Sequence, residues 1–184
     1  MTRFRYFTAA TLDGFLADDD DNLDWLMSQP IDEAGPLNYS EFIADVGALV
    51  MGATTYQWVV EHNATSGESW QYTQPAWVFT HRALEPVTDN VTIVAGSPSD
   101  FRQTLVEAAA GKDVWIVGGG DVAAQFAAAE MLDDVLISIA PVTLGSGRPL
   151  FTRAYDFQLR EVDRNGPFIV ARYDVVGARG SVRD

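Results

Sequence analysis

Twice in this chain an apolar run breaks into glycine and at once opens a helical pattern. The first joint is Leu49-Val50-Met51-Gly52-Ala53-Thr54-Thr55-Tyr56 and the second is Trp115-Ile116-Val117-Gly118-Gly119-Gly120-Asp121-Val122. Short apolar runs without polar alternation read as strands buried on both faces, and such strands need helices above and below them. That requirement narrows the fold to an α/β class with a largely parallel sheet. Glycine lets the backbone bend and lets a ligand come close. The helix start adds free N–H groups and the positive end of a dipole, which suit phosphate. Either joint alone is equally an ordinary tight turn, with Thr54 or Asp121 as N-cap. Two in one small domain favour an anion the size of a nucleotide.

The remaining segments fit the same plan. Phe4 to Ala10 reads as a first strand, Tyr39 to Asp45 as a short amphipathic helix and Ala48 to Met51 as a buried strand. Thr54 opens a helix to about Val60, followed by strands at Ala76 to Phe79 and Val91 to Val94. Ser99 caps a helix to about Ala110, with Phe101, Leu105 and Ala109 at near-helical spacing. A strand at Val114 to Val117, a helix from Val122 to Ala129 and a strand from Val135 to Ala140 follow. Phe157 to Asp163 and Phe168 to Val175 form a hairpin around Asn165-Gly166, adding antiparallel strands at one edge.

Composition removes several function classes. The 184 residues are 47% apolar, which suits one domain spanning 1–184. A net charge of −14 argues against nucleic acid or an anionic membrane surface as partner, though a local nest of N–H groups can still hold a small anion. With no cysteine, thiolate metal sites and thiol nucleophiles are excluded. His62 and His81 lack metal-ligand spacing, so no metal site is expected. Gly145-Ser146-Gly147 is not a nucleophile elbow, because Leu144 stands where an outer glycine is needed. Asp18 to Asp21 reads as a solvated loop rather than an ion site. The N-terminal apolar run is too short for a signal peptide or spanning helix, which makes the cytoplasm the expected location. Hydride transfer fits what remains, since the cofactor brings the reactive atom and the protein positions it.

Gly118-Gly119-Gly120-Asp121-Val122-Ala123 formally fits the dinucleotide fingerprint, but it follows about the fifth strand instead of the first, so a standard Rossmann unit is not expected. Six segments in order instead resemble the dihydrofolate reductase-like superfamily, in the branch holding the C-terminal reductase domain of the bifunctional riboflavin-biosynthesis protein. They are Thr11 to Ala17, Leu23 to Leu26, Met51 to Tyr56, Val78 to Arg82, the triple-glycine joint, and Pro141 to Phe151.

The resemblance implies a three-layer fold around a mixed, mostly parallel sheet of about eight strands. It also implies NADPH as hydride donor and a homodimer. By position, Gly52, Ala53, Thr54 and Thr55 would cradle one side of the pyrophosphate, and Gly118, Gly119, Gly120, Asp121 and Val122 the other. Thr80, His81 and Arg82 would meet the adenosine 2′-phosphate, for which a hydroxyl, an imidazole and a guanidinium offer convergent donors; Arg82 is otherwise a solvated surface arginine. Trp25 and Tyr56 are the expected substrate contacts, with Trp25 either a wall of the site or a plain core aromatic. Asp13 is read either as a polar substrate or proton-relay contact, or as the first half of an Asp-Gly turn.

Three departures qualify the match. Ala53 replaces the arginine many relatives carry after Met-Gly, and Gly118 stands where riboflavin-pathway reductases place glutamate. Pro30 occupies the position of the carboxylate that holds the pterin in dihydrofolate reductases. The expected activity is therefore NADPH-dependent hydride transfer to a C=N or C=O bond of a small heterocyclic substrate. An NADPH-binding stress or regulatory protein of the same fold, without turnover, is the alternative.

Overall fold

The structure, a computed structural model, describes residues 1–180; the last four positions of the expected domain, 181–184, lie outside the described residues. Apolar runs bounded by polar loops form the strands. They are β1 (Phe4–Thr11), β2 (Phe15–Ala17), β3 (Val46–Gly52), β4 (Ala76–Phe79), β5 (Val91–Val94), β6 (Asp113–Gly118), β7 (Asp134–Ala140), β8 (Arg148–Pro149), β9 (Tyr155–Asn165) and β10 (Phe168–Ala178). The helices are α1 (Asp24–Met27), α2 (Tyr39–Ala44), α3 (Ala53–Ser66), α4 (Arg102–Ala108) and α5 (Gly120–Ala128).

Eight strands make one sheet in the order β5-β4-β3-β6-β1-β7-β10-β9, and β2 pairs with β8 in a separate two-stranded sheet. From β5 to β7 all neighbours run parallel, whereas β10 is antiparallel to both β7 and β9. The mixed sheet with a C-terminal antiparallel hairpin is the architecture the resemblance implied.

Alternation along the central strands divides the core between two faces. Leu49 and Met51 of β3 join Phe42 of α2 and Tyr56 and Val59 of α3 under one face. Ala48 and Val50 join Leu105 of α4 and Val122 and Phe126 of α5 under the other. Helices therefore cover both faces, and burial of these side chains removes most of the central strands' apolar surface from water.

Several boundaries differ from the sequence reading. The helix opened at the first joint continues to Ser66 because Gly67, at φ 73°, supplies the left-handed residue that ends it. The turn before α4 starts earlier than Ser99: Pro98 to Phe101 form a 3-10 turn, and the Asp100 carboxylate accepts the Ser97 N–H at 2.9 Å. The hairpin strands are longer than expected, each reaching 11 residues. Strand β7 begins one residue earlier, at Asp134, whose side chain is fully buried. Arg3, Arg5 and Arg172 converge on it, with nitrogens at 3.1, 3.0 and 2.8 Å from its oxygens.

Candidate functional site

The two glycine joints lie side by side. Strands β3 and β6 are parallel neighbours, and Met51 pairs with Gly118 at their carboxyl ends. There α3 and α5 begin, with Gly52 and Gly119 as their N-caps and, among the described residues, no side chain capping either end. The first-turn amides of both helices therefore have no intrahelical partner and point out of the same sheet edge. The side chains of Thr54 and Thr55 make no hydrogen bond with the described residues. A Cβ on Gly118 or Gly119 would sit 3.5 or 4.0 Å from Thr55 Oγ1, so the hydroxyl stands at the mouth between the joints. This concentration of free N–H and O–H donors, with two positive helix ends, fits a diphosphate.

Neighbouring strand β4 ends on the same edge. Beyond it, the Thr80 hydroxyl accepts the Arg82 N–H at 2.9 Å, and Arg82 Nη1 donates to Gln57 Oε1 of α3 at 3.0 Å. Gln57 thus ties the guanidinium to the helix that starts at the first joint. His81 is exposed and makes no hydrogen bond with the described residues.

Over the second joint lies a flap made of β2, β8 and the loops that carry them. Leu16 Cδ1 lies 3.9 Å from the position of a Cβ on Gly119, and a Cβ on Gly120 would come 2.2 Å from the Pro149 carbonyl oxygen. Only glycine lets the flap lie this close to α5. The Leu150 N–H donates to the Gly14 carbonyl at 2.9 Å, and the Leu12 N–H to the Val142 carbonyl at 2.7 Å. Arg148 binds Asp21 through Nε at 2.6 Å, and the Ser146 hydroxyl donates to Asp19 at 2.5 Å. The acidic run is therefore the outer lip of this flap. Among the described residues no group of three or more His, Asp or Glu side chains is placed to hold a metal ion, and no helix is long and apolar enough to cross a membrane.

The sequence matches the RibD C-terminal domain family over residues 4–167. The chain belongs to that family. Relatives of this chain include the Bacillus subtilis proteins YwjB and YyaP, each described as uncharacterized. YwjB is 30% identical over 146 residues, 79% of this chain and 80% of its own length. YyaP is 26% identical over 151 residues, 78% and 77% of the two chains. Among solved structures, a protein from Shewanella sp. PV-4 ascribed to riboflavin biosynthesis superposes with a TM-score of 0.81 at 25% identity, covering 95% of this chain and 99% of that one. A pyrimidine reductase-like protein from Corynebacterium diphtheriae shares the fold at a TM-score of 0.60 and 15% identity, covering 100% and 93%. The Thermotoga maritima deaminase/reductase shares it at 0.61 and 17%, covering 95% of this chain and 57% of its own.

Within this RibD C-terminal domain, the surroundings of five singled-out residues bear on the sequence reading. Tyr56 is 3% exposed, its hydroxyl donates to the Glu85 carbonyl at 2.9 Å and accepts the Val87 N–H at 2.9 Å, so it offers no surface to a substrate. Its place beside Ala53, Val59 and Asn63 on the buried stripe of α3 was the signal that marks it as core. Trp25 is 8% exposed and clusters with Ala140, Phe168 and Val170, and its Nε1 is buried without a hydrogen-bond partner among the described residues.

Asp13 is exposed, but its carboxylate is already engaged. Its carboxylate accepts the Thr11 hydroxyl at 2.6 Å, the Gly145 N–H at 2.8 Å and the Leu144 N–H at 3.1 Å. The Thr11 hydroxyl first, and then the Gly145 and Leu144 amides, hold its carboxyl below the usual range, which suits neither a proton donor nor a relay. Asp121 turns its carboxylate to Gln125 at 2.7 Å and Thr152 at 3.3 Å, leaving only its amide for an anion. Val122 likewise buries its side chain and offers only an amide. Gln57 and Arg148 escaped the sequence reading; the charge of Arg148 opposite the one acidic run was the available signal.

Proposed function

We propose that this protein is an NADPH-dependent reductase that delivers hydride to a C=N or C=O bond of a small heterocyclic substrate. The observation that carries the reading is the pairing of the α3 and α5 N-termini on adjacent parallel strands, in register at Met51 and Gly118. The amides of Gly52 to Thr55 would take one phosphate of the pyrophosphate and those of Gly118 to Val122 the other. The Thr80 hydroxyl, His81 and Arg82 would hold the 2′-phosphate, with Gln57 keeping the guanidinium in place. When bound, the nicotinamide supplies the hydride.

The chain's own work is placement. Backbone donors fix the diphosphate, the flap of Phe15 to Ala17 and Arg148 to Leu150 limits water at the second joint, and rigid strands hold both parts in one geometry. Membership of the RibD C-terminal domain family supports an oxidoreductase reading.

A second copy of the chain is the proposed partner. On one face of the β9–β10 ribbon, Phe157, Leu159, Val162 and Ile169 are exposed, side by side through their pairing with Val175, Tyr173, Ala171 and Arg164. A contiguous apolar face of this kind suits an isologous interface. Equilibrium titration with NADPH and NADH, followed by tryptophan fluorescence, tests the cofactor reading. Saturable quenching with preference for NADPH supports it, and no binding of either nucleotide at millimolar concentration sinks it.

A further inference from the structure

The Asp13 carboxylate belongs to β1's exit loop, yet two of its three hydrogen-bond donors are backbone amides more than a hundred residues away, at Leu144 and Gly145. The third, Thr11 Oγ1, is itself fixed, because it also accepts the Phe15 N–H at 3.0 Å. One side chain thus fastens the start of the flap's inner strand, β2, to the loop that leads into its outer strand, β8. On either side of this fastening the two segments are tied by backbone bonds, Leu12 to Val142 and Leu150 to Gly14. Leu144 and Val142 also pack on the Trp25 cluster, so the pinned loop bears on a solid core. Farther out, Arg148 closes the lip on Asp21 and on the Asp19 carbonyl.

The pinned segment is the one that crosses the second joint at closest range. The Pro149 and Leu150 carbonyl oxygens would lie 2.2 and 2.6 Å from a Cβ on Gly120. A shift of the Pro141–Leu150 segment by even a fraction of an ångström would therefore open or close the space beside the α5 amides. We infer that Asp13 is a positioning residue that pins this segment and so sets the geometry in which a nucleotide is held at the second joint. The inference rests on the cofactor reading proposed above. It assigns Asp13 neither proton transfer nor substrate contact: an ionised carboxylate that already accepts three donors has little capacity left, and what remains is a charge-assisted fastening.

Comparing wild type with Asp13→Asn and Asp13→Ala tests the assignment by two readouts, amide hydrogen exchange and NADPH titration. In Asp13→Ala, peptides covering 141–150 are expected to exchange on the order of tenfold faster, with α3 and β3 unchanged, and the NADPH Kd to rise on the order of tenfold. Asp13→Asn, whose side-chain oxygen still accepts an amide, is expected to fall between the two. Unchanged exchange at 141–150, acceleration spread over the whole chain, or local acceleration with an unchanged Kd would each overturn the assignment. The two readings fail differently. Wild type that binds no NADPH overturns both, whereas normal wild-type affinity with no loss in Asp13→Ala overturns the positioning role alone.

Discussion

Gly52 and Val122 meet where the two glycine joints touch: a Cβ on Gly52 would come within 3.0 Å of Val122 Cγ2. That contact sets the distance between the N-termini of α3 and α5. Gly52→Ala is expected to force the helices apart, lowering NADPH affinity roughly tenfold while costing about 1 kcal/mol of stability. Nucleotide titration beside chemical denaturation checks both numbers. A variant with full affinity would show that the spacing is not what the nucleotide reads.

Asp134 is the structural counterpart, far from the proposed site. Its carboxylate is fully buried, while Arg5 is mostly buried and Arg3 and Arg172 are partly exposed. Asp134→Ala takes the carboxylate from Arg3 and Arg172 and leaves Arg5 only Asp113, and is expected to cost about 3–5 kcal/mol, whereas Arg3→Ala, at the exposed rim, costs no more than about 1 kcal/mol. Urea denaturation of both variants measures the contrast, and equal losses would contradict it.

Acid should reveal the Asp13 fastening. Its folded carboxyl lies below the ordinary range, chiefly through the Thr11 hydroxyl, so the unfolded chain takes up the proton more readily. The stability it adds is complete above the unfolded pKa of about 4 and is lost as pH falls through the lower folded value. The Tm gap between wild type and Asp13→Asn should therefore shrink between about pH 6 and about pH 3. A gap that stays constant across this range would rule out an ionised fastening.

Tyr56 separates core from site. Tyr56→Phe keeps the ring but removes the bonds to Glu85 and Val87, with an expected cost of about 1–2 kcal/mol. NADPH affinity should stay within about twofold, since the hydroxyl faces the 85–87 loop. A large loss of affinity at unchanged Tm would return Tyr56 to the site.

The parts of the fold legible in the sequence are those whose signal is local. The second joint stands out because Val114 to Ile116 are buried and Val117 partly so, leaving an apolar run with no polar break before the glycines. Asp134 was missed as the start of β7 because a charge inside a strand is stable only with partners that lie far away in the chain, at Arg3, Arg5 and Arg172. Strand β8 is two residues long, with no periodicity to read, and exists only because β2 lies beside it. The joints at Gly52 and Gly118 could be read, but their adjacency could not, since it depends on β6 inserting between β3 and β1. Asp13 admits two readings in sequence because its partners, Leu144 and Gly145, lie far along the chain.

The central claim is that the two adjacent helix starts form one diphosphate cradle. A crystal structure of the protein soaked with NADPH measures this directly. The account predicts pyrophosphate oxygens within hydrogen-bond distance of amides from both Gly52–Thr55 and Gly118–Val122, with the 2′-phosphate beside Thr80, His81 and Arg82. Nucleotide bound elsewhere, or held by only one of the two joints, would contradict it.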